Sequence, residues 1–371
     1  MPLRLGIDLQ SAVDDLLGMG RVVRTLLACF LKDYPQHEYV LFAKSASQIE
    51  SLRHLTQNPA LAGREIRLKT LPELSFSELD ACWYPWSRID ITPKTGRKIL
   101  TIHDMARFAF PNKSLLGSWD QRRDEQRYRQ AVSLADQVIT ISNFSAGEIE
   151  KYLAVPACRV PVIYNGVDES AFAPAAVETS ALPAEYDKPF LLFVGADSEA
   201  KNLPALLQAF ALIKREYRPP LSLICWGAGE ASRRKHKEML EDEEIYDDVF
   251  FPELQGDDTM LRQLYRKAEV FVFPSVYEGF GLPPLEAMAA GTPVACSRSA
   301  SLPEVAGDAA IYFDANSPKH MAQVVLHLLN DATVCRELVA RGKQRIREFT
   351  WDRSAVSHMK IFEGLGSDSC Q

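Results

Sequence analysis

The chain has 371 residues, with 42 basic and 49 acidic side chains and a formal net charge of −7. At roughly 150 residues per domain, this length predicts two domains. A composition of 47% hydrophobic, 9% aromatic and 25% charged residues is typical of a globular protein and excludes disordered, collagen-like and coiled-coil chains. The acidic balance disfavours non-specific binding to nucleic acid, because that affinity comes from cations that neutralise phosphates.

Signals for a membrane or a secretory location are missing from the sequence. No apolar run approaches the roughly 18 to 20 residues of a membrane-spanning helix, and the first residues lack the apolar core of a signal peptide. The seven cysteines are scattered and lack the spacing of a metal site. We therefore expect a cytoplasmic protein with reduced thiols and no bound metal.

Short apolar runs alternate with amphipathic stretches along the chain, which predicts parallel sheets flanked by helices. The predicted strands are Leu3–Leu9, Tyr39–Ala43, Ile66–Leu71, Cys82–Tyr84, Lys98–His103, Gln137–Ser142, Val160–Tyr164, Phe190–Gly195, Leu221–Gly227, Val249–Phe251, Val270–Pro274 and Pro293–Cys296. The clearest predicted helices are Gly20–Lys32, Ser118–Ala135, Ser145–Leu153 and Leu203–Tyr217. The alternation pauses at an Ala- and Pro-rich segment near residue 180. We predict an α/β protein of two doubly wound, Rossmann-like domains, 1–180 and 181–350, that face each other across a cleft.

Two loops of the first domain carry candidate binding residues. Gly18 and Gly20 follow the first strand and open the first helix together with Arg21. Free N–H groups and the positive end of the helix dipole favour a phosphate there, although a flexible turn would also explain the glycines. His103 ends a strongly apolar strand, a position that favours the cleft, with a buried structural histidine as the alternative.

The second domain carries the more specific signals. Lys201 lies on the loop after its first strand, before a helix that Asn202 is placed to cap. A cation at a helix N-terminus indicates an anionic partner, with a solvated lysine as the alternative. Further along, an apolar strand runs into a Gly- and Pro-rich loop with Glu278 and a short helix with Glu286. Carboxylates accept strong hydrogen bonds from paired hydroxyls, so these two residues predict a site for a sugar and a ribose.

Taken together, the motifs resemble the retaining nucleotide-sugar glycosyltransferases of family four, which have the GT-B fold. Glu278 and Glu286 form that family's E-x7-E signature inside the run YEGFGLPPLEAMAAGTPV. The order and spacing of further segments agree with the family: GIDLQ, GMGR, TIHDM, ITISNFS, NGVD, the lysine–asparagine pair at 201–202 and FTWDRSA. Among its members the chain is similar to bacterial O-antigen and exopolysaccharide mannosyltransferases.

The resemblance implies a role for each candidate residue. Glu286 would bind the ribose hydroxyls, Glu278 would bind the transferred sugar, and Lys201 would neutralise the leaving phosphate. His103 would line the acceptor side and hydrogen-bond the donor sugar. The diphosphate would be held by the segment Phe280, Gly281 and Leu282 and by Gly18, Gly20 and Arg21. The first domain would then bind the acceptor and the second the donor, with 351–371 forming a helix that returns to the first domain.

One departure from the family concerns the arginine that usually accompanies the lysine, because Ala196 and Ala200 occupy its positions. Either fewer charges hold the diphosphate, or Arg21 or Arg298 substitutes. The chain also lacks an Asp-x-Asp triplet, the usual metal clamp of the other large glycosyltransferase fold. We therefore expect metal-independent, cofactor-free transfer. The resemblance implies that this transfer proceeds with retention and that the leaving phosphate takes the acceptor proton.

The resemblance to bacterial mannosyltransferases implies a hexosyltransferase that moves mannose from GDP-mannose to a hydroxyl of a saccharide or a lipid-linked saccharide. The alternative donor is a UDP-sugar such as UDP-glucose, and the base pocket is predicted around Phe251–Gln255. Three other interpretations share the fold: a nucleotide-sugar 2-epimerase, a phosphorylase, and a sugar- or nucleotide-binding protein without activity.

A segment of the first domain has features of a membrane-surface contact. It combines Leu115–Trp119 with four arginines, Arg122, Arg123, Arg127 and Arg129, an arrangement suited to an anionic interface. Neighbouring acidic residues offset most of that charge, which makes a solvated helix the alternative. The expected attachment is transient, at the inner face of the plasma membrane.

Overall fold

The computed structural model describes residues 1–10, 18–56, 65–110, 115–172, 182–183, 186, 188–252 and 258–364. The chain forms two compact units, one of Met1–Gly166 with Trp351–Gln371 and one of Val167–Thr350. Each unit is built on a six-stranded parallel sheet with flanking helices, so the predicted α/β fold is confirmed.

The sheet of the first unit follows the predicted strands closely. Its strands are β1 (Arg4–Asp8), β2 (Glu38–Ala43), β3 (Ile66–Thr70), β4 (Glu78–Tyr84), β5 (Thr95–Ile102) and β6 (Gln137–Thr140). They pair in parallel in the order β3-β2-β1-β4-β5-β6. The helices are α1 (Gly18–Asp33), α2 (Ala46–Thr56), α3 (Ala106–Ala109), α4 (Leu115–Leu134) and α5 (Asn143–Leu153).

The sheet of the second unit consists of β7 (Phe190–Val194), β8 (Ser222–Trp226), β9 (Val249–Phe250), β10 (Val270–Phe273), β11 (Val294–Ser297) and β12 (Ala310–Phe313). These strands are parallel, in the order β12-β11-β10-β7-β8-β9. The helices are α6 (Leu203–Glu216), α7 (Gly229–Lys235), α8 (Lys237–Asp242), α9 (Asp258–Lys267), α10 (Leu282–Ala290), α11 (Leu302–Ala306), α12 (Pro318–Asn330) and α13 (Ala332–Arg345). Central strands such as β10, with the sequence VFVF, are buried along their whole length, as expected of a parallel sheet covered on both faces.

The last described helix, α14 (Trp351–Phe362), packs within the first unit. The ring of Phe30 on α1 lies 5.9 Å from the ring of His358 and 5.7 Å from that of Phe362. The division between the units falls at Gly166 and not near 180. The residues just after it already pack on the second unit: the Val167 N–H donates to the Phe349 carbonyl over 2.9 Å.

Two further expectations need correction. The segment Val160–Tyr164 forms only an isolated bridge between Val162 and Thr140, because Pro161 has no N–H to donate to a ladder.

The second expectation, that the thiols are reduced, is wrong at Cys158, which is disulfide-bonded. Five other cysteines are free thiols, namely Cys29, Cys82, Cys225, Cys296 and Cys335. Cys158 lies exposed on a short helix. Within the described ranges, no helix is both long and apolar enough to cross a bilayer.

A histidine is enclosed in the aromatic contact between α1, β4 and α14. The His358 ring is 3% exposed and lies 5.2 Å from the ring of Trp83. Its Nδ1 is 2.9 Å from the carbonyl oxygen of Ser354. Burial lowers the pKa of His358 from 6.5 to about 4, so this ring stays neutral in the folded protein.

We predict that this histidine makes the fold sensitive to acid. His358 takes up a proton near pH 6.5 in the unfolded chain but only near pH 4 in the folded chain. The free energy of unfolding is therefore unaffected by this group above about pH 6.5 and decreases as the pH falls from there towards 4. His358→Phe should remove this loss, which amounts to about 1.4 kcal/mol per pKa unit. Urea unfolding at about pH 7 and about pH 5 measures it.

Comparing this variant with the wild type separates the effect of His358 from that of Asp8, which has the opposite dependence on pH. Asp8, whose pKa burial raises to about 6, binds its proton more readily in the folded state and is present in both proteins. An equal loss of unfolding free energy in the two proteins would contradict the assignment.

Candidate active site

The candidate residues of the first unit begin at the start of α1. Gly18, Gly20 and Arg21 lie in the first turn of this helix, which confirms the prediction that they open it. Gly18 has a φ of 50°, in the left-handed region that favours glycine. The turn is therefore a helix N-terminus that begins with a glycine, a feature that phosphate sites commonly use.

His103 follows β5 and is 5% exposed. Its Nε2 lies 2.8 Å from the carbonyl oxygen of Pro85. Because a carbonyl only accepts, we infer that Nε2 carries the proton and donates, which leaves Nδ1 as the acceptor of the ring. Burial lowers the pKa of His103 below 6.5, so the ring is a neutral, oriented imidazole. The hydroxyl of Ser145 donates to its main-chain carbonyl over 3.1 Å and fixes the backbone behind it.

In the second unit, the two charged residues predicted on separate loops meet. The Lys201 ammonium lies 2.6 Å from Oε1 of Glu278. The side chains are 23% and 13% exposed, respectively, so the pair is largely withdrawn from water. The ammonium also lies over the ring of Phe273, 4.8 Å from its centroid. The anionic partner expected for Lys201 is, in this structure, Glu278.

Sheet order explains why these two loops meet. Strands β7 and β10 are parallel neighbours, with Leu191 opposite Val270, so the loops that follow them leave the same edge side by side. The Val276 N–H on one loop donates to the Ala200 carbonyl on the other over 2.8 Å. Gly195 makes room for the lysine, because a Cβ there would lie 3.3 Å from the lysine Cδ.

Asn202 has a different role from the predicted one. Its φ of 54° is left-handed and its side chain does not cap α6. Instead, Nδ2 donates to the carbonyl of Ala315 over 2.8 Å and lies 3.3 Å from that of Pro274. The helix-cap expectation was wrong because the left-handed backbone directs the amide to the neighbouring loops. Asn202 thus joins the lysine loop to the loops after β10 and β12.

The loop between β10 and α10 is fixed by a residue from the next loop. The hydroxyl of Ser301 lies 2.9 Å from the carbonyl oxygen of Glu278 and 2.7 Å from that of Phe280. The Phe280 ring is 3% exposed and packs edge-on against Phe349, so only its main chain is placed to meet a ligand. Gly281 has a φ of 103° and precedes Leu282, the first residue of α10.

Glu286 is held inside the unit on α10. It is 4% exposed, and the hydroxyl of Tyr265 donates to its Oε2 over 2.9 Å. The main-chain carbonyl of Tyr265 in turn accepts from the hydroxyl of Thr292. A carboxylate so enclosed keeps a defined orientation, which suits the recognition of a pair of hydroxyls.

The structure also bears on the residues proposed to replace the family's arginine. Arg298 is exposed and stacks on the ring of Tyr312, 4.7 Å from its centroid, while Arg21 belongs to the other unit. Two basic side chains near the lysine loop, Lys235 and His236, lie 2.8 and 3.0 Å from Oδ2 of Asp197. Lys201 is thus the cation placed beside Glu278, and no group of three or more metal-ligating side chains occurs in the described ranges.

Two other predicted features are only partly described. Phe251, in the predicted base pocket, is 6% exposed, and residues 253–255 lie outside the described part of the chain. On α4, Arg127 lies 3.7 Å from Asp124 and Arg129 donates to the Tyr152 carbonyl over 3.1 Å. Arg122 and Arg123 are exposed, whereas the side chain of Trp119 lies outside what the structure describes.

Sequence reasoning missed two residues that support the site, Tyr265 and Ser301. Tyr265 carries no local signal, because its contact with Glu286 joins α9 to α10. Ser301 precedes Leu-Pro-Glu, a pattern typical of a capping box, yet its hydroxyl makes no hydrogen bond to α11.

Comparison with known proteins identifies the family. The family model for glycosyl transferases group 1 matches residues 178–345, and that for Glycosyltransferase Family 4 matches residues 18–171. Together the two models cover most of the chain, which therefore belongs to the glycosyltransferases that they describe. The two models meet close to the division between the units, and the second covers the lysine loop, Glu278 and Glu286.

Individual relatives agree with the family. The chain is 29% identical over 285 residues to the O-antigen chain mannosyltransferase B of Escherichia coli, an alignment that covers 72% of this chain and 71% of the relative. It is 32% identical over 254 residues to the D-inositol 3-phosphate glycosyltransferase of Salinispora tropica, covering 63% of this chain and 52% of that one. Among solved structures, HepE of Anabaena, in complex with UDP and glucose, superposes with a TM-score of 0.72 at 15% identity over 98% of this chain and all of its own. The last comparison shows that the two proteins share their fold.

Proposed function

We propose that this glycosyltransferase moves mannose from GDP-mannose to a hydroxyl of a saccharide or a lipid-linked saccharide, with retention and without a metal ion. The observation that carries the proposal is the contact of Lys201 with Glu278, 2.6 Å apart, on loops that meet beside α10 and Glu286. A departing nucleoside diphosphate needs a cation and main-chain amides, and the transferred sugar needs a hydrogen-bond acceptor for its hydroxyls.

The residues divide the work of such a transfer. Lys201 would neutralise charge that builds up on the leaving phosphate, and Glu286 would orient the ribose. Glu278 would accept hydrogen bonds from the sugar and position it, and it would not act as a general base. The leaving phosphate would take the proton of the attacking hydroxyl on the same face of the sugar, which gives retention. Neutral His103 would hydrogen-bond the donor sugar from the acceptor side.

The choice of donor is supported by the relative that transfers mannose to O-antigen chains, according to its name. The same fold accepts other donors, because HepE was solved with UDP and glucose, so a UDP-sugar is the second candidate. Polysaccharide or lipopolysaccharide synthesis in the cytoplasm would be the setting of either reaction.

The deciding experiment is a donor panel. The purified protein is incubated with GDP-, UDP- and dTDP-sugars in the presence of EDTA, and products are separated by chromatography. We expect slow hydrolysis of GDP-mannose and a higher melting temperature with GDP than with UDP, because a ligand that binds only the folded state stabilises it.

Each other interpretation has its own outcome in this panel. Stabilisation by UDP alone would transfer the proposal to a UDP-sugar. Interconversion of a donor would indicate an epimerase, transfer to phosphate a phosphorylase, and binding without turnover a non-catalytic protein. Dependence on a metal would overturn the metal-independent mechanism.

The ion pair makes a second, less intuitive prediction. In the free protein Glu278 competes with the diphosphate for Lys201, so Glu278→Gln should bind GDP more tightly than the wild type does, by about threefold if the pair contributes about 0.6 kcal/mol. The same variant should turn over GDP-mannose about 10- to 100-fold more slowly, since a charged hydrogen bond to the sugar is lost. Calorimetric titration and initial rates measure the two effects.

Glu286→Gln is the matched control for this substitution. It removes a carboxylate of the same helix–loop segment that has no ion pair with Lys201 in the described structure, and it should weaken GDP binding. Tighter GDP binding in both variants would show that general loss of negative charge, and not release of Lys201, is responsible.

Contact with a membrane surface is proposed for the exposed arginines of α4. Each arginine near an anionic surface contributes about 1 kcal/mol, so attachment should be weak and salt-sensitive. Replacing Arg122, Arg123 and Arg129 with glutamate should reduce sedimentation with phosphatidylserine vesicles while donor hydrolysis stays intact. Unchanged vesicle binding would rule this contact out.

A further inference from the structure

The hydroxyl of Ser301 donates hydrogen bonds to main-chain carbonyls of another loop. Ser301 is fully buried, and its Oγ lies 2.9 Å from the oxygen of Glu278 and 2.7 Å from that of Phe280. A carbonyl oxygen only accepts, so the hydroxyl is the donor that both share. It therefore holds two peptide units of the Glu278–Gly281 loop in one orientation.

Because the peptide unit is planar, this contact also determines the direction of two N–H groups. In a trans peptide unit the C=O of one residue and the N–H of the next point in opposite directions, and the described residues contain no cis peptide bond. With the carbonyls of Glu278 and Phe280 directed at Ser301, the N–H groups of Gly279 and Gly281 are directed away from it. Ser301 thus sets the direction of two glycine amides.

The same loop offers an internal example of this geometry. The hydroxyl of Ser297 donates to the carbonyl of Ser275, and the N–H on the other side of that peptide unit, from Val276, donates to the Ala200 carbonyl over 2.8 Å. One serine fixes the carbonyl and the opposite N–H meets its partner. The arrangement at Ser301 repeats this pattern at the peptide units that join Glu278 to Gly279 and Phe280 to Gly281.

Close packing restricts the conformation of the Glu278–Gly281 loop. A Cβ on Gly281 would lie 2.7 Å from Cδ2 of Leu302, the residue after Ser301, so the loop rests directly on the start of α11. Pro283 and Pro284 follow in the first turn of α10 and lack N–H groups. The amides at the start of this helix that can bind an anion are therefore few, and their direction matters.

We propose that Ser301 is a positioning residue of the diphosphate site, which aligns the Gly281 amide for a phosphate that Lys201 also binds. The inference rests on the proposed function, because it takes a nucleoside diphosphate as the ligand. Ser301 itself does not touch the ligand, and its effect is exerted through the orientation of the loop.

The test compares diphosphate with monophosphate binding. Calorimetric titrations with GDP, UDP, GMP and UMP are made on the wild type, Ser301→Ala and Ser301→Cys. Loss of one aligned donor to a charged group should weaken binding of the preferred diphosphate about tenfold, with less than about a twofold change for its monophosphate. The thiol, a weaker donor, should give an intermediate loss, and it provides a second variant if the alanine variant does not fold.

Ser232→Ala serves as the matched control. Ser232 is a buried serine of the same unit whose hydroxyl donates to the Ala228 carbonyl over 2.7 Å, outside the loops of the site. It should lower the melting temperature without changing the ratio of diphosphate to monophosphate affinity. An unchanged ratio in both Ser301 variants would overturn the inference while leaving the proposed function intact. A wild type that binds neither GDP nor UDP would overturn the proposed function as well.

Discussion

The parallel pairing of β7 with β10 is the constraint on which the second unit's site depends. Neighbouring parallel strands end at the same edge of the sheet, about 4.8 Å apart, so the loops that follow them can exchange main-chain hydrogen bonds. The bond from Val276 to Ala200 and the amide of Asn202 bring the loops together. Only then can Lys201 reach Glu278 over 2.6 Å.

Lys201 and Asp197, both on the lysine loop, are paired with neighbouring side chains. The lysine that would serve a leaving phosphate is already neutralised by Glu278, and Asp197 is accompanied by Lys235 and His236. Partly buried charges are costly unless they are paired, which explains the pairing of Lys201 with Glu278 and of Asp197 with Lys235. A donor diphosphate would have to replace the contact of Glu278 with Lys201. The ion pair therefore keeps a positive charge at the site, and its carboxylate competes with the diphosphate for that charge.

Uncharged groups supply the rigidity. Tyr265 fixes the carboxylate of Glu286, and Ser301 fixes two carbonyls of the loop before α10. Buried polar groups that are fully hydrogen-bonded hold a defined geometry, and leaving one unpaired is costly. In the first unit the same principle applies to His103, which the Pro85 carbonyl orients as a neutral ring.

The sequence by itself determined the alternation of strands and helices, the two parallel sheets and the charged residues of the site, because burial on both faces and turns at strand ends leave local patterns. Tertiary structure alone decided which groups meet. The amide of Asn202 bonds across loops, and the hydroxyl of Ser301 bonds a neighbouring loop although its local pattern is that of a cap. The unit division at Gly166 was also a tertiary outcome, since residues after it pack on strands and helices far along the chain. Each of these contacts joins segments that are distant in sequence, and local propensity contains no information about such a partner.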